Sequence, residues 1–168
     1  MTAILFLGVF PALMAFAAAY DLTTMTIPNK LTAAVALAFI AVVALCRLPA
    51  TEVAWHLAAG VLVLAATFAM FAAGWMGGGD AKLAAGIALW LGFADLLDYL
   101  MLASILGGVL TLTLLAARRY PLPLMLARTP WALRLHAPET GIPYGIALAL
   151  AALAILPNAQ IMLRAFSG

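Results

Sequence analysis

Charge is what this chain has least of. Only 8% of its 168 residues are Asp, Glu, Lys or Arg, against 68% hydrophobic types, whereas a water-soluble domain carries roughly 25% charged residues. A mean hydropathy of +1.19 therefore excludes an ordinary soluble enzyme and implies a polytopic membrane protein. Cysteine is nearly absent too. The single Cys46 rules out an internal disulfide and any Cys-x-x-Cys zinc module. The two histidines, His56 and His136, do not make up a metal-ligand set, so no metal or other cofactor is expected. The net charge of +2 gives no argument for a nucleic-acid partner, and none is expected. No Lys or Arg precedes the first apolar run, so the basic n-region of a signal peptide is missing, and Ala17-Ala18-Ala19 reads as part of a retained span.

What is there is a succession of apolar runs. The first extends from Ala3 to Tyr20 and is followed by a polar connection, Asp21 to Lys30, in which Pro28 sets a boundary and Asn29 is placed to cap the next helix. Further spans are predicted from about Leu31 to Cys46, Val53 to Trp75, Asp80 to Phe93, Leu97 to Ala117, and Ile142 to Leu163. Residues 47–52 form a turn, and 118–141 is the one long connection. The expected fold is all-α, a bundle of about six transmembrane helices forming a single domain over residues 1–168. A face of Ser104, Gly107, Gly108 and Thr111 on the fifth span suits close helix packing in lipid.

The few positive residues orient this bundle. An outside N-terminus puts Lys30, Lys82, Arg118, Arg119, Arg128 and Arg134 in the inner connections and leaves only Arg47 and Arg164 outside, which is the arrangement the positive-inside rule selects. Two spans separate Asp21 from Asp80, so parity brings both to the cytoplasmic face. Within 118–141, leucines and Trp131 alternate with arginines, and this pattern predicts a segment lying in the membrane interface, over the site; plain anchoring by positive charge is the alternative.

Gly77-Gly78-Gly79-Asp80-Ala81-Lys82-Leu83 is the sharpest interruption of the hydrocarbon. An acid at the edge of a bilayer is costly and is by default a functional-site hypothesis. Two Asp side chains close enough to share a proton titrate as a unit, one member serving as base and the other as acid. Such a pair can draw a proton from water attacking a scissile carbonyl and donate one to the carbonyl oxygen, with no metal and no covalent intermediate. The glycines would let an extended peptide approach Asp80 and would tolerate dihedrals that other residues avoid. The plainer readings are that Asp80 is a helix N-cap and Asp21 a solvated loop acid.

The details around both residues resemble one family. Asp21, six residues before Ile27-Pro28-Asn29, is similar to the first aspartate motif of the type IV prepilin peptidases. Gly77-Gly78-Gly79-Asp80 resembles their second, the Gly-x-Gly-Asp shared with presenilin-type proteases, and Ile142-Pro143-Tyr144-Gly145-Ile146-Ala147 resembles their Pro-Tyr-Gly-Pro-Ala segment, with Ile146 in place of proline. The resemblance implies an aspartic endopeptidase of the bacterial inner membrane with Asp21 and Asp80 as its catalytic pair. Gly77, Gly78, Gly79, Lys82, Pro28 and Asn29 would support the pair or the approach of substrate. It implies a prepilin or pseudopilin substrate, cut after a short basic leader at the cytoplasmic face, and membrane lipid and pilus assembly machinery as further partners. Lacking a four-cysteine N-terminal extension, the chain resembles the short form associated with tight-adherence pili, without methyltransferase activity.

The other polar residues read more simply. Lys82 would tune the pair or anchor the helix end, Asn29 and Lys30 are cap and anchor, and Asp95 and Asp98 cap the fifth helix on the outer face. His56 is an interfacial or packed histidine, and Trp75, Trp90 and Trp131 are interfacial anchors. Two other function classes stay open here: a small proton- or ion-coupled transporter, for which neither mid-span polar residues nor inverted repeats are visible, and a non-enzymatic assembly subunit.

Overall fold

In hydrocarbon every backbone polar group must find its partner within the chain, and helices do this segment by segment. The computed structural model describes residues 2–159 and residue 161; among these, all regular structure is helical. Six α-helices follow one another: α1 (Thr2–Thr24), α2 (Asn29–Cys46), α3 (Ala50–Ala72), α4 (Gly78–Ala117), α5 (Pro130–His136) and α6 (Tyr144–Ile155). Short 3-10 turns occupy Leu126–Arg128 and Leu156–Asn158. α2, α3 and α4 are each long and apolar enough to cross a membrane. The protein is an all-α membrane protein.

α4 is a hairpin. Gly92 has φ +65° and ψ −173°, a backbone region essentially restricted to glycine. A side chain there would also run into the His56 ring, 3.0 Å from the nearest ring atom. The reversal is visible in the contacts. Thr111 Oγ1 lies 3.1 Å from Tyr144 Oη, the neighbouring Gly145 bonds to Asp21, and Asp21 shares a cavity with Asp80. Residues 80 and 111 of a straight helix would stand about 46 Å apart, so the two arms must lie side by side. These arms are the fourth and fifth expected spans, and no separate loop divides them. The break precedes Asp95 by one turn, which puts Asp95 in the first turn of the second arm, where an acid complements the helix dipole. Asp98 lies beyond any capping position.

The first arm of α4 forms the centre. Leu83, Ile87, Trp90 and Leu91 are buried there, and α1, α2, α3 and α6 pack around or beside them. Much of the rest of the core is alanine, including Ala59, Ala84, Ala88, Ala149, Ala151 and Ala152, which lets helices approach closely where lipid gives no hydrophobic driving force. Leu37, Val61, Phe68, Leu97 and Leu112 point outward, as a lipid-facing surface requires. Trp90 does not anchor at the interface as expected. Its ring is fully buried against Phe10 and Phe39, and its indole N–H donates to Val35 O at 2.9 Å, so the one polar atom of a large core side chain is satisfied. Trp75 is exposed and Trp131 half-buried.

Several boundaries move. α1 continues one turn past Tyr20, because the Thr23 and Thr24 hydroxyls donate back to Ala19 O and Tyr20 O and so fit polar residues into a helix. It stops at Met25, whose φ is +56°. α3 starts at Ala50, which shortens the expected 47–52 turn, and ends at Ala72, before Gly74 (φ +76°) and Trp75. α6 gives way to the 3-10 turn holding Pro157; the expected end near Leu163, and Arg164, lie outside the described residues. Of the small-residue face on the second arm of α4, Gly107 and Thr111 meet Tyr144, but Ser104 is exposed and Gly108 has no neighbour within 4 Å.

The 118–141 connection is organised by one side chain. The Arg118 guanidinium donates to Leu135 O, Thr140 O, Thr140 Oγ1 and Gly141 O, at 2.8–3.1 Å, using the fixed fork of donors that lysine lacks. Arg134 reaches the last carbonyls of α1, 3.3 Å from Thr24 O, where positive charge complements a helix C-terminus. Leu124 and Met125 are 85% and 87% exposed on a stretch flanked by arginines.

Candidate functional site

The three motifs converge at one end of the bundle. Asp21 sits in the last turn of α1 and is only 3% exposed, not a solvated loop acid. Asp80 is the third residue of α4, whose N-cap is Gly77, so Asp80 is not the cap itself. Both carboxylates line one cavity of about 260 Å³, together with Met25, Thr26, Ile27 and Gly77 to Gly79. They are close enough to interact electrostatically.

Asp21 is held from the far end of the sequence. The Gly145 N–H donates to Asp21 Oδ2 at 2.8 Å, and the Ile146 amide lies beside it. Gly145 and Ile146 belong to the first turn of α6, where backbone N–H groups have no partner within the helix. The carboxylate thus caps α6 from another helix, and the positive end of α6 stabilises negative charge on it. Only glycine fits. A Cβ on Gly145 would sit 2.7 Å from Asp21 Oδ2 and 2.8 Å from Ile27 Cδ1. Gly145 was not among the expected site residues. Its signal was present in the Pro143-Tyr144-Gly145 segment, but a backbone donor leaves no chemical type to read.

The glycines before Asp80 are explained by space and not by unusual dihedrals, since none of them has positive φ. A Cβ on Gly77 would meet Asp80 Oδ2 at 3.0 Å, one on Gly78 the Phe71 ring at 3.2 Å, and one on Gly79 the Ile27 side chain at 3.0 Å and its backbone at 3.2 Å. Gly79 therefore lets the second motif lie directly on the first. Pro28 is the N-cap of α2, and its carbonyl accepts from Leu31 and Thr32. Asn29 is not the cap that the sequence predicts. Its Oδ1 accepts from Lys82 Nζ at 2.8 Å, and this bond ties the two motifs together a second time. His56 is a packed histidine, with Nδ1 2.9 Å from Leu89 O. Tyr99 was not expected to matter. It is fully buried, its hydroxyl has no hydrogen-bond partner among the described residues, and it lies near enough to Asp80 to feel its charge.

A helical membrane protein with two carboxylates around a small cavity at a helix end is the class that fold and geometry define. The sequence model of the type IV leader peptidase family matches residues 8–112, a stretch that includes both aspartates, and the chain belongs to that family. No curated protein and no solved structure gives a match. Family membership makes the protein a leader-peptidase-like protease and does not favour the transporter reading.

Proposed function

We propose that this protein is an aspartic-type endopeptidase that removes the short basic leader of prepilins or pseudopilins at the cytoplasmic face of the bacterial inner membrane. The observation that carries this reading is the shared cavity of Asp21 and Asp80, with Asp21 fixed by the Gly145 amide. One carboxylate takes a proton from a water molecule as it attacks the scissile carbonyl while the other donates a proton to the carbonyl oxygen; the tetrahedral intermediate then collapses, the first giving its proton to the leaving amine and the second taking back a hydroxyl proton. The N-terminus is outside, and the 118–141 segment lies in the inner interface beside the entry to the site.

Cleavage of a candidate prepilin by the purified protein in liposomes tests this. Asp21→Asn and Asp80→Asn should each abolish cleavage with insertion intact, and the double variant should add little, because groups acting as one unit are non-additive. Chelators and serine- or cysteine-directed reagents should have no effect. Asp95→Asn and Asp98→Asn, at the other end of the bundle, should cleave normally. Robust cleavage by either single Asp variant refutes the pair.

A further inference from the structure

α2 and α3 each pack on α4 but scarcely on one another. The gap between them is a groove of about 460 Å³, lined by Ala33 and Ala36 of α2, Gly60 of α3, and Ala85 and Gly86 of α4. Leu57, Val61, Leu64 and Leu89 make up the rest of its apolar walls, and its polar residues are Asn29, Thr32 and Lys82, with Thr32 one turn from Asn29. From Lys82 to Leu89 it runs about 10 Å, or two helical turns. It opens sideways, between two helices whose outer faces carry Leu37, Ile40, Val61 and Leu64, towards the lipid.

We propose that this groove receives the apolar helix of the substrate that follows the scissile bond. The inference deepens the peptidase reading and rests on it. Three observations select a helix. Ala33, Ala36 and Ala85 line it between the bulkier Leu57, Val61, Leu64 and Leu89, so another helix can bring its backbone close at the alanines, which is how helices associate in lipid. The groove runs along α4, so a helix lying in it keeps its apolar length in the membrane. Its polar end adjoins the site: Asn29 and Lys82 are each two residues from Ile27 and Asp80, which line the carboxylate cavity. A substrate helix seated here leaves the groove at the Asn29–Lys82 bridge, unwinds, and passes in extended form over the Gly77–Gly79 turn to the carboxylates. Binding energy from the helix, remote from the reacting bond, then positions that bond.

The test compares two substrates, a full-length prepilin and a soluble peptide holding only the leader and the first few residues after the cut. Ala33→Phe and Ala36→Phe fill the groove without touching the carboxylate cavity. Each should lower kcat/KM for the full-length substrate by about 10-fold or more, while peptide cleavage stays within about 2-fold. Equal effects on both substrates, whether loss or none, overturn the assignment; a groove that merely holds a lipid chain gives no loss on either. If the unaltered protein cleaves neither substrate, the peptidase reading itself falls. Cross-linking supplies a second readout. In an Asp80→Asn, Cys46→Ser background, Ala36→Cys should form a disulfide with a cysteine in the substrate's apolar helix, and Leu112→Cys, on a lipid-facing position elsewhere, should not. Equal yields at both positions, or none at Ala36→Cys, refute the groove.

Discussion

Gly145→Ala adds a single methyl group, and the structure fixes what that group meets. The new Cβ would lie 2.7 Å from Asp21 Oδ2, 2.8 Å from Ile27 Cδ1 and 3.0 Å from Asp21 Cγ. Ordinary contact needs about 3.5 Å or more, so the carboxylate must retreat by several tenths of an ångström. It cannot retreat freely, because Asp21 is packed into α1 with almost no exposure. The retreat lengthens or breaks the 2.8 Å bond from the Gly145 N–H, a bond to a charged group and therefore worth about 1.5–3 kcal/mol. Overpacking costs a further 1–3 kcal/mol or so of stability. Chemistry should suffer more, since a misplacement of about 1 Å at a reacting group can cost about 100-fold. Leader cleavage by Gly145→Ala in liposomes should therefore fall about 10- to 100-fold, with the thermal midpoint lowered and membrane insertion retained. Gly108→Ala is the control, because nothing lies within 4 Å of that position, and it should cleave at the parent rate. Parental activity in Gly145→Ala would show that the Asp21–Gly145 contact is not part of the working site.

Four further outcomes follow from contacts already described. Gly92→Ala combines a glycine-only conformation with a clash on His56; it should destabilise the protein by about 2–3 kcal/mol, seen as a lower thermal midpoint in detergent, and an unchanged midpoint would contradict the hairpin geometry. Arg118→Lys keeps the charge but loses the fork of bonds to Leu135, Thr140 and Gly141, so protease nicking and hydrogen exchange should rise within 118–141 and not in the helices. Trp90→Phe removes the buried indole N–H bond to Val35 O and part of a fully buried ring, and should cost about 1–3 kcal/mol, whereas an interfacial tryptophan would tolerate the change. Tyr99→Phe removes a hydroxyl with no protein partner among the described residues, so the thermal midpoint should not fall.

The features legible in the sequence were those that rest on contrast with hydrocarbon. Asp21 and Asp80 stood out because ionisable groups are rare in this chain, and their separation by two spans was enough to predict that they meet at one end. The reversal between the fourth and fifth spans was also legible, though not its means: it is made at Gly92, inside the expected fourth span, and not in the gap between Phe93 and Leu97. Trp90 was misplaced because an indole near a span's end reads as an anchor, and only the packing of Phe10 and Phe39 shows it to be core. Asn29 sits where a cap belongs, and only the three-dimensional approach of Lys82 redirects its side chain. Arg118 counted as a positive charge, yet its work is to hold carbonyl groups of a loop. Gly145 was legible as part of a motif but not as a donor, because an amide N–H is common to nearly every residue.

The position of Gly92 also sets a length. The first arm of α4, residues 78–91, is about 14 residues and about 21 Å long, shorter than the roughly 30 Å of hydrocarbon in a typical bilayer. If the hairpin tip stays at one boundary, the start of the arm, with Asp80, falls short of the other, and the bilayer must thin locally or let water in to meet it. If Asp21 and Asp80 are the catalytic pair proposed above, the hydrophobic thickness of the membrane thereby becomes a variable of the reaction. Lipids with longer chains draw the carboxylates deeper into a medium hostile to charge and water, and lipids with shorter chains bring them closer to the surface.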